Sequence, residues 1–598
     1  MVHISFFSRK FSRGCGNASL RWRCVALLLV LVFVLGACDE THQEAGLRRA
    51  GASGAPDASF SGSYLAGQHA AVIRDFGAAA DFMAAALAYE PGNQSLLRRT
   101  FYLMAGEGRF GEADAIAGRV LENTPDDPIA GLYLMARAFQ AGQYADALVY
   151  LERMPQRGLN AYLHPLFSAW THFAMGDAEK AIVAMDRQAQ VEGFEPIYNY
   201  HLALLYDLEG RADSAERNYV SALGDHPLSL RTIETLGNFY ERQDRKEEAQ
   251  TLYDRYISDD SISLVLSLGQ ERLDRGDVPG RVVKSPGDGL AEVFYNLSLL
   301  LHRQSVFYQQ TGYGFALVFA RLAMDLREDF DDARVLAAEI YETQERHRAA
   351  IAMYERVSPK TAWGWFGRIR IARNYDLLEA EDQAVRLLRK MAKERPDRID
   401  VLVELGTLLR VHERYREAIK VYSEAIRRTK KIKARHWTLF YARGIALEQA
   451  GTWKEAEADL LRALELQPDQ PYVLNYLGYS WLEKGQKLAQ AQRLIERAVA
   501  LRPKDGFIVD SLGWALYHIG KYDEALPHLE LAVQLRPHDP VINDHLGDAY
   551  WQVGRRYEAK FQWRRTLAFD ADAKLGANIE SKLKRGLPIA VKKATEKQ

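Results

Sequence analysis

The most regular feature of the chain is a small residue that recurs every 34 positions from about residue 60 onwards. The first series of these marker alanines is Ala79, Ala113, Ala147, Ala181, Ala215 and Ala249. The second series, with a spacing lengthened by four residues before Ala456 and by one before Ala491, is Ala316, Ala350, Ala384, Ala418, Ala456, Ala491, Ala525 and Ala559. Such a period predicts stacked units, each of which buries its apolar face only against its neighbours.

Three further marks keep the same register as the marker alanines. A Leu-Gly pair lies twelve residues before several of them, an aromatic residue often lies four after, and a proline often lies twelve after. Glycine and alanine allow two helices to approach closely, whereas proline ends the second helix because it lacks an N–H. These marks resemble the tetratricopeptide repeat (TPR), a helix-turn-helix unit. The predicted fold is all-α, a right-handed TPR α-solenoid of about 14 repeats with an irregular middle.

The pattern is interrupted between the two series of alanines. A first helix is predicted from Ser261 to about Leu273, but the stretch from Asp274 to Gly289 is too rich in glycine and proline for a standard second helix. Another helix is predicted to begin at Leu290. The broken repeat at 260–296 is interpreted as a hinge, an interface or a degenerate repeat that bends the solenoid.

The first 37 residues do not continue the repeat pattern. A basic stretch precedes an apolar run from Val25 to Leu35, which is shorter than the roughly 20 residues that a membrane-spanning helix needs. The small residues Gly36 and Ala37 then come directly before Cys38. This arrangement resembles the lipobox of bacterial lipoproteins. The resemblance implies cleavage between Ala37 and Cys38 and acylation of the Cys38 thiol, for example with palmitate; an ordinary signal peptide with a chance cysteine is the alternative.

Composition and charge agree with an exported, non-nucleic-acid-binding protein. The net charge is −1, and removal of the basic leader brings it to about −6, so a nucleic-acid partner is not expected. Cys15 and Cys24 lie in the leader. The mature chain would keep Cys38 alone and form no internal disulfide.

These features divide the chain into six predicted parts. They are a lipoprotein signal peptide at 1–37, a flexible tether at 38–58, an N-terminal array of six repeats at 59–259, an irregular segment at 260–296, a C-terminal array of eight repeats at 297–573, and a capping helix with a tail at 574–598.

The sequence contains no motif that predicts catalysis. It has no phosphate-binding loop, no H-E-x-x-H and no G-x-S-x-G. Its densest polar cluster is His538, Asp539, Asp544, His545 and Asp548. A metal site is conceivable there, but solvated side chains at the end of a solenoid are the preferred interpretation. We therefore predict no enzymatic activity, no cofactor and no metal.

The first helix of a TPR unit lines the concave side, at about its second, fifth, ninth and twelfth residues. Applied to the last repeats, this spacing predicts an aromatic and acidic partner groove formed by Tyr472, Asn475, Tyr479, Phe507, Asp510, Trp514, Tyr517, Asp544, Asp548 and Trp551. Applied to the third and fourth repeats, it predicts a second, apolar groove formed by Ile129, Leu132, Phe139, Leu163, Leu166, Trp170 and Phe173. Exposed aromatic side chains are typical anchors for a partner. The alternative is that these residues belong to the core.

Several segments resemble one group of long TPR lipoproteins of proteobacteria. They are Leu474-Asn475-Tyr476-Leu477-Gly478-Tyr479, Asp510-Ser511-Leu512-Gly513-Trp514, Asn543-Asp544-His545-Leu546-Gly547-Asp548-Ala549-Tyr550-Trp551, Phe561-Gln562-Trp563-Arg564-Arg565 and Gly289-Leu290-Ala291-Glu292. A characterised type in that group is the lipoprotein adaptor of a periplasmic carboxyl-terminal processing protease.

The resemblance implies a membrane-anchored periplasmic scaffold that binds proteins, recruiting such a protease and its substrates. A structural role in envelope assembly or polysaccharide export is the alternative, and homo-oligomerisation is left open. The expected location is the periplasmic face of a Gram-negative envelope. The adaptor type is associated with the outer membrane, which is therefore favoured. Asp39 and Glu40, which directly follow the cysteine, leave the inner membrane open, because such acidic residues can retain lipoproteins there in enteric bacteria.

Overall fold

The computed structural model of the protein describes residues 59–156, 159–188, 193–224, 230–257, 263–308, 313–569 and 573–588. Within these ranges the chain forms thirty α-helices and no β-strand. Consecutive helices pair as hairpins, in which a first helix and a second helix pack against each other.

The hairpins before the irregular segment are formed by α1 (Phe60–Val72) and α2 (Phe76–Tyr89), α3 (Gln94–Gly106) and α4 (Phe110–Asn123), α5 (Pro128–Gln140) and α6 (Tyr144–Arg153), α7 (Leu159–Ala174) and α8 (Ala178–Gln188), α9 (Glu195–Leu208) and α10 (Ala212–Leu223), and α11 (Leu230–Arg242) and α12 (Lys246–Ile257). An unpaired helix, α13 (Ser263–Arg275), follows.

The later hairpins are formed by α14 (Pro286–Tyr308) and α15 (Tyr313–Leu326), α16 (Asp331–Thr343) and α17 (His347–Tyr354), α18 (Ala362–Leu377) and α19 (Glu381–Glu394), α20 (Asp400–Val411) and α21 (Tyr415–Arg428), α22 (Trp437–Gln449) and α23 (Trp453–Leu466), α24 (Pro471–Glu483) and α25 (Leu488–Leu501), α26 (Gly506–His518) and α27 (Tyr522–Leu535), and α28 (Pro540–Gln552) and α29 (Arg556–Ala568). A last helix, α30 (Ala573–Arg585), completes the described chain.

The marker alanines explain why the period of 34 residues yields hairpins. Each of the fourteen lies in the second helix of a hairpin and is 0% exposed. The facing glycine of the first helix is equally constrained, since a Cβ on Gly547 would lie 2.5 Å from the Trp563 ring. Such close packing leaves no room for larger side chains. The predicted all-α fold of fourteen helix-turn-helix repeats is confirmed.

The turn inside each hairpin carries a second periodic signal. The residue five positions before the marker alanine has a positive φ in most hairpins, for example 75° at Gly108 and 82° at Gly520. In several hairpins this position holds a larger residue, such as Glu345 or Glu413, with φ of 57° and 59°. Only glycine adopts this left-handed conformation without steric cost.

The irregular middle contains a longer helix than the sequence predicted. Helix α14 begins at Pro286, four residues before the predicted start at Leu290. Proline is favoured at the first position of a helix. The Ser285 hydroxyl accepts a hydrogen bond from the Asp288 N–H (3.1 Å), and the Asp288 carboxylate accepts one from the Lys284 N–H (2.7 Å). These caps extend the helix across Gly287 and Gly289, which had indicated a loop.

The chain divides into two compact units, and the division does not coincide with the broken repeat. The N-terminal unit comprises the described residues up to Ala384, and the C-terminal unit those from Val385 onwards. The helices from α14 to α18 therefore belong with the first six hairpins, whereas the sequence placed the first half of α14 in the irregular segment and the rest of these helices in the second array. The reason is that α14 and α15 pack against earlier first helices as well as against each other.

Candidate functional site

The predicted lipidation site, Cys38, and the cleavage position between Ala37 and Cys38 lie outside the described residues. The signal peptide and the tether lie outside them as well. Among the helices that the structure describes, none combines the length and the apolar composition needed to cross a bilayer.

The second groove predicted from the sequence is filled by the chain itself. Five of its seven residues are less than 10% exposed, and they are Ile129, Leu132, Phe139, Leu166 and Trp170. Leu163 and Phe173 are half-buried. Helices α14 and α15 lie on the first helices α3, α5, α7 and α9 of the same unit. The structure thus corrects the prediction of an open apolar groove at this place.

Helix α14 makes its closest approach at Trp170. Gly289 lies so near the indole that a Cβ there would be 2.2 Å from the ring. Further along α14, Phe294 packs on Phe167 with ring centroids 4.9 Å apart. Asn296 faces His201 at 3.3 Å between the amide nitrogen and Nε2. The groove therefore accommodates an α-helix that has a glycine where it contacts Trp170 and a polar side chain two turns later.

Helix α15 fills the part of the groove nearer the N-terminus. Phe315 packs edge-on against Tyr102 of α3, with ring centroids 5.2 Å apart. Arg137 of α5 pairs with Asp325 at 2.8 Å. Apolar and ionic contacts together hold the hairpin in place.

A buried ionic cluster joins α14 to the last helices of the groove. Arg231 of α11 bonds Glu292 of α14 at 2.6 Å and Asp332 of α16 at 3.0 Å. Glu292 is 0% exposed and also accepts a hydrogen bond from the Tyr200 hydroxyl. Burial, together with the charge of Asp332, raises the pKa of Glu234 in this cluster to about 8. The neutral Glu234 lowers the excess of negative charge in this buried region.

The C-terminal partner groove predicted from the sequence is only partly open. Its aromatic residues keep some exposed surface, as does Asn475; they are Tyr472, Tyr479, Phe507, Trp514, Tyr517 and Trp551. Its three aspartates are 5–6% exposed and are Asp510, Asp544 and Asp548. The predicted aromatic residues therefore lie partly at the surface, whereas the predicted aspartates are buried.

The buried aspartates are neutralised within the C-terminal unit. Lys582 of α30 bonds Asp544 at 2.7 Å and Asp548 at 2.8 Å. Asp510 pairs with His545 at 2.9 Å. A lysine ammonium thus occupies the position between the two carboxylates, where the sequence allowed for a metal ion. Among the described residues, no group of histidine, cysteine and acidic side chains is arranged to hold a metal.

The pKa values of this cluster follow from burial and from these pairs. Burial raises the pKa of Asp548 to about 6, assisted by Asp544 and opposed by Lys582. Burial by itself lowers the pKa of His545, but the charge and hydrogen bond of Asp510 outweigh it, so that the pKa is raised. The imidazolium form is therefore stabilised against Asp510.

Trp514 is at the centre of an aromatic stack in the groove. Its ring is nearly parallel to that of His545, with centroids 3.8 Å apart, and to that of Tyr517, with centroids 4.7 Å apart. The indole Nε1 faces Glu483 at 3.4 Å. Trp551 differs, because it donates to the carbonyl of Leu587 at 2.8 Å and so belongs to the closed end of the unit.

Comparison with known proteins assigns the repeats. The tetratricopeptide-repeat family model matches residues 403–471 and 474–540. This part of the chain therefore contains tetratricopeptide repeats. It is 28% identical over 149 residues to a TPR repeat-containing protein of Pseudomonas aeruginosa, a match covering 25% of each protein. It is 27% identical over 148 residues to the BBSome complex member BBS4 of Bos taurus, a match covering 25% of this chain and 27% of that protein. The matches thus span about a quarter of the length of these relatives.

Among solved structures, a chain of the APC/C hetero-tetramer Cut9–Hcn1 is similar, with 16% identity and a TM-score of 0.36. That match covers 88% of this chain and 96% of the other. TPR repeats generally mediate protein–protein interactions, and the fold carries no catalytic machinery of its own.

The two TPR units carry the same tryptophan–histidine pair. Trp170 and Trp514 both lie eleven residues before a marker alanine, and His201 and His545 both lie fourteen before the next one. Trp170 donates a hydrogen bond from Nε1 to His201 Nδ1 at 3.1 Å, whereas Trp514 stacks on His545. Neither histidine lies at the positions predicted to line a groove. The shared spacing of 31 residues was the signal that identifies the pairs.

One polar side chain of the C-terminal groove is left unsatisfied. The Oδ1 atom of Asn475 is buried and has no hydrogen-bond partner among the described residues. An unpaired buried oxygen of this kind costs about 1–3 kcal/mol. The half-buried aromatic side chains are therefore the part of the predicted groove that keeps contact with solvent.

Proposed function

We propose that this protein is a membrane-anchored periplasmic TPR adaptor whose C-terminal groove binds a segment of a partner protein. The observation that carries the proposal is the row of half-buried aromatic side chains from Tyr472 to Tyr517. Aromatic anchors supply much of the binding energy in protein interfaces. The aspartates of the groove serve to hold the unit together.

The partner that the proposal names is a carboxyl-terminal processing protease, together with its substrates. The support for it is the resemblance of the segments around Tyr479, Trp514 and Trp551 to those of the lipoprotein adaptor type. The support for the periplasmic location is the lipobox-like sequence ending at Cys38. Acyl chains on that cysteine would anchor the protein firmly, since each buried CH₂ contributes about 0.8 kcal/mol.

Site-specific crosslinking in cells tests the partner. A photoactivatable residue is placed at Tyr479 in the groove and, as a matched control, at Tyr557, which is 90% exposed on the outer helix α29. We expect a covalent adduct with a carboxyl-terminal processing protease from position 479 and not from position 557. Adducts from 479 that contain envelope-assembly proteins but never a protease would overturn the protease assignment. No adduct from 479 at all would contradict the groove as the binding site.

Fractionation tests the anchor. The Cys38→Ser variant should move from the membrane fraction to the soluble periplasmic fraction and should lose incorporation of labelled palmitate. Cys24→Ser, in the predicted leader, is the control and should leave both unchanged. Retention of the Cys38→Ser variant in the membrane would contradict lipidation at this residue.

A further inference from the structure

The connection between α21 and α22 differs from the later connections of the C-terminal unit. The turns that follow α23, α25 and α27 have four residues each, at 467–470, 502–505 and 536–539, and each contains a proline and an aspartate. The connection at 429–436 has eight residues, with neither a proline nor a carboxylate. We call this connection the basic loop, because half of its residues are cations, namely Lys430, Lys431, Lys433 and Arg435.

The basic loop has a defined conformation. The side chain of Ile432 packs against the buried apolar cluster that contains Leu460. Residues Ala434–His436 form a short 3-10 turn, in which His436 Nδ1 accepts a hydrogen bond from the Lys433 N–H at 2.9 Å. The loop is therefore held against the core by its one large apolar side chain.

The four cations of the basic loop are exposed and carry no counter-charge. None of their side chains forms an ion pair with a carboxylate among the described residues. The neighbouring Arg427 and Arg428 differ, because both pair with Glu424 near the end of α21. Like charges that lie this close together repel one another, so a surface of negative charge outside the chain stabilises the loop.

We infer that the basic loop binds a phospholipid bilayer with anionic headgroups and holds the C-terminal unit against it. Three of the four cations are lysines, whose compact ammonium charges suit a layer of many phosphates better than one bidentate ligand. In polybasic segments of this kind, each Lys or Arg near an anionic bilayer raises the affinity about fivefold. The inference goes beyond the proposed function and requires neither the protease nor a lipidated cysteine.

Vesicle sedimentation tests the inference with the chain from Asp39 onwards, which keeps every described residue and lacks Cys38 with its acyl chains. The probes are vesicles of phosphatidylglycerol and phosphatidylcholine in equal parts, and vesicles of phosphatidylcholine alone. We expect the chain to sediment with the anionic vesicles at low ionic strength and not with the neutral ones. Binding should disappear near 1 M salt, where the screening length falls to about 3 Å. A chain that stays in the supernatant with both kinds of vesicle would overturn the inference.

Two sets of substitutions separate the basic loop from the net charge of the chain. Exchange of its four cations for glutamine should lower the partition onto anionic vesicles about tenfold or more. The matched control exchanges three lysines and one arginine that are exposed elsewhere in the C-terminal unit, namely Lys420, Lys454, Lys504 and Arg493. It should change the partition less than about threefold, because these charges are screened from the bilayer. Equal losses in the two sets, or full binding without the loop cations, would contradict the inference.

A fluorescent label locates the contact with the bilayer. The chain from Asp39 onwards contains no cysteine, so Ala434→Cys in the basic loop and Ala500→Cys on α25 each give one attachment point for an environment-sensitive dye. Both positions are exposed. Anionic vesicles should shift the emission of the dye at 434 to shorter wavelengths and leave the dye at 500 unchanged. Sedimentation without a shift at 434 would show that another surface binds the bilayer.

An acidic polypeptide is the other class of ligand with a suitable charge, and poly-glutamate is the probe for it. If poly-glutamate binds the chain and anionic vesicles do not, the inference is wrong and the basic loop binds a protein. None of these outcomes affects crosslinking from Tyr479, which tests the proposed function separately.

Discussion

Trp170 and Trp514 occupy the same position of a repeat, yet they have different environments. Trp170 is 0% exposed beneath Gly289 of α14, and Trp514 is half-buried in a stack with His545 and Tyr517. Part of this difference is local, because Asp510, which holds His545, has Leu166 as its counterpart in the first unit. The other part arises because a helix from a later part of the chain covers the first tryptophan. The comparison teaches that one repeat position carries the tryptophan in both units, whereas its local partners and the long-range packing decide its environment.

The two units also use charge differently. In the N-terminal unit, Arg231 bonds carboxylates of two other helices and thereby ties the occupant to the groove. In the C-terminal unit, Lys582 bonds two carboxylates of α28 and thereby closes the end of the array. The first cluster fixes α14 in the groove of the N-terminal unit, and the second fixes α30 at the end of the C-terminal array.

Alanine substitution of the two tryptophans should have the largest effect and separates the units directly. Trp170→Ala should reduce the free energy of unfolding by about 4 kcal/mol, because it removes a fully buried indole. Trp514→Ala should cost only about 1–2 kcal/mol, because part of that ring is already solvated. Urea unfolding with hydrogen exchange of α7 and α26 measures both. Equal losses would show that the two environments do not differ as described.

Removal of the Lys582 ammonium should be the next largest effect. Lys582→Met leaves Asp544 and Asp548 buried side by side, and breaking a buried pair in this way costs about 3 kcal/mol at pH 7. The cost should be smaller at pH 5, where Asp548, with a pKa of about 6 in the native protein, is protonated. Thermal unfolding at both pH values measures it. Lys584→Met, an exposed lysine on the same helix, is the control and should have little effect.

His201 and His545 should make the free energy of unfolding depend on pH in opposite directions. Burial lowers the pKa of His201 to about 3, so the folded protein disfavours its protonation, and stability is lost as the pH falls below about 6.5. At pH 5 this loss amounts to about 2 kcal/mol. Asp510 raises the pKa of His545 against the effect of burial, so its contribution is present below about 6.5 and is lost as the pH rises.

Single substitutions isolate the two histidines. His201→Gln should reduce the destabilisation of the N-terminal unit on acidification, and His545→Gln should remove the stabilisation of the C-terminal unit. Hydrogen exchange of α9 and α28 at pH 5 and pH 7.5 reports each separately. Slopes of the same sign in both units would contradict the assigned environments.

Glycine substitution at the turns should have the smallest effect and the same effect in both units. Glu345→Gly and Glu413→Gly relieve positive φ angles of 57° and 59° and should each stabilise the protein by about 1 kcal/mol. The converse change, Gly520→Glu, should destabilise it by a similar amount. Melting temperatures of the three variants measure these effects. A large difference between Glu345→Gly and Glu413→Gly would mean that the hairpins of the two units are not equivalent.

Much of the fold was predictable because a repeat packs mainly on its neighbours. The marker alanines predicted all fourteen hairpins, and the left-handed turn residue five positions earlier is a periodic signal of the same kind. The ionic partner of Asp544 and Asp548 could also have been predicted, since Lys582 follows Asp548 by 34 residues, one repeat. The prediction that these aspartates line an open groove was wrong, and their spacing from Lys582 indicates instead that they are paired and buried.

The sequence by itself determined the helical hairpins and their number, because these depend on contacts between residues within one or two repeats. Only the tertiary structure decided that Gly289 covers Trp170 across more than one hundred residues of chain, and that Trp514 keeps its exposed surface. No local periodicity encodes such a pairing, since the two tryptophan positions are equivalent within their repeats. The occupancy of the grooves, on which the proposed binding function rests, is a property of the packed chain.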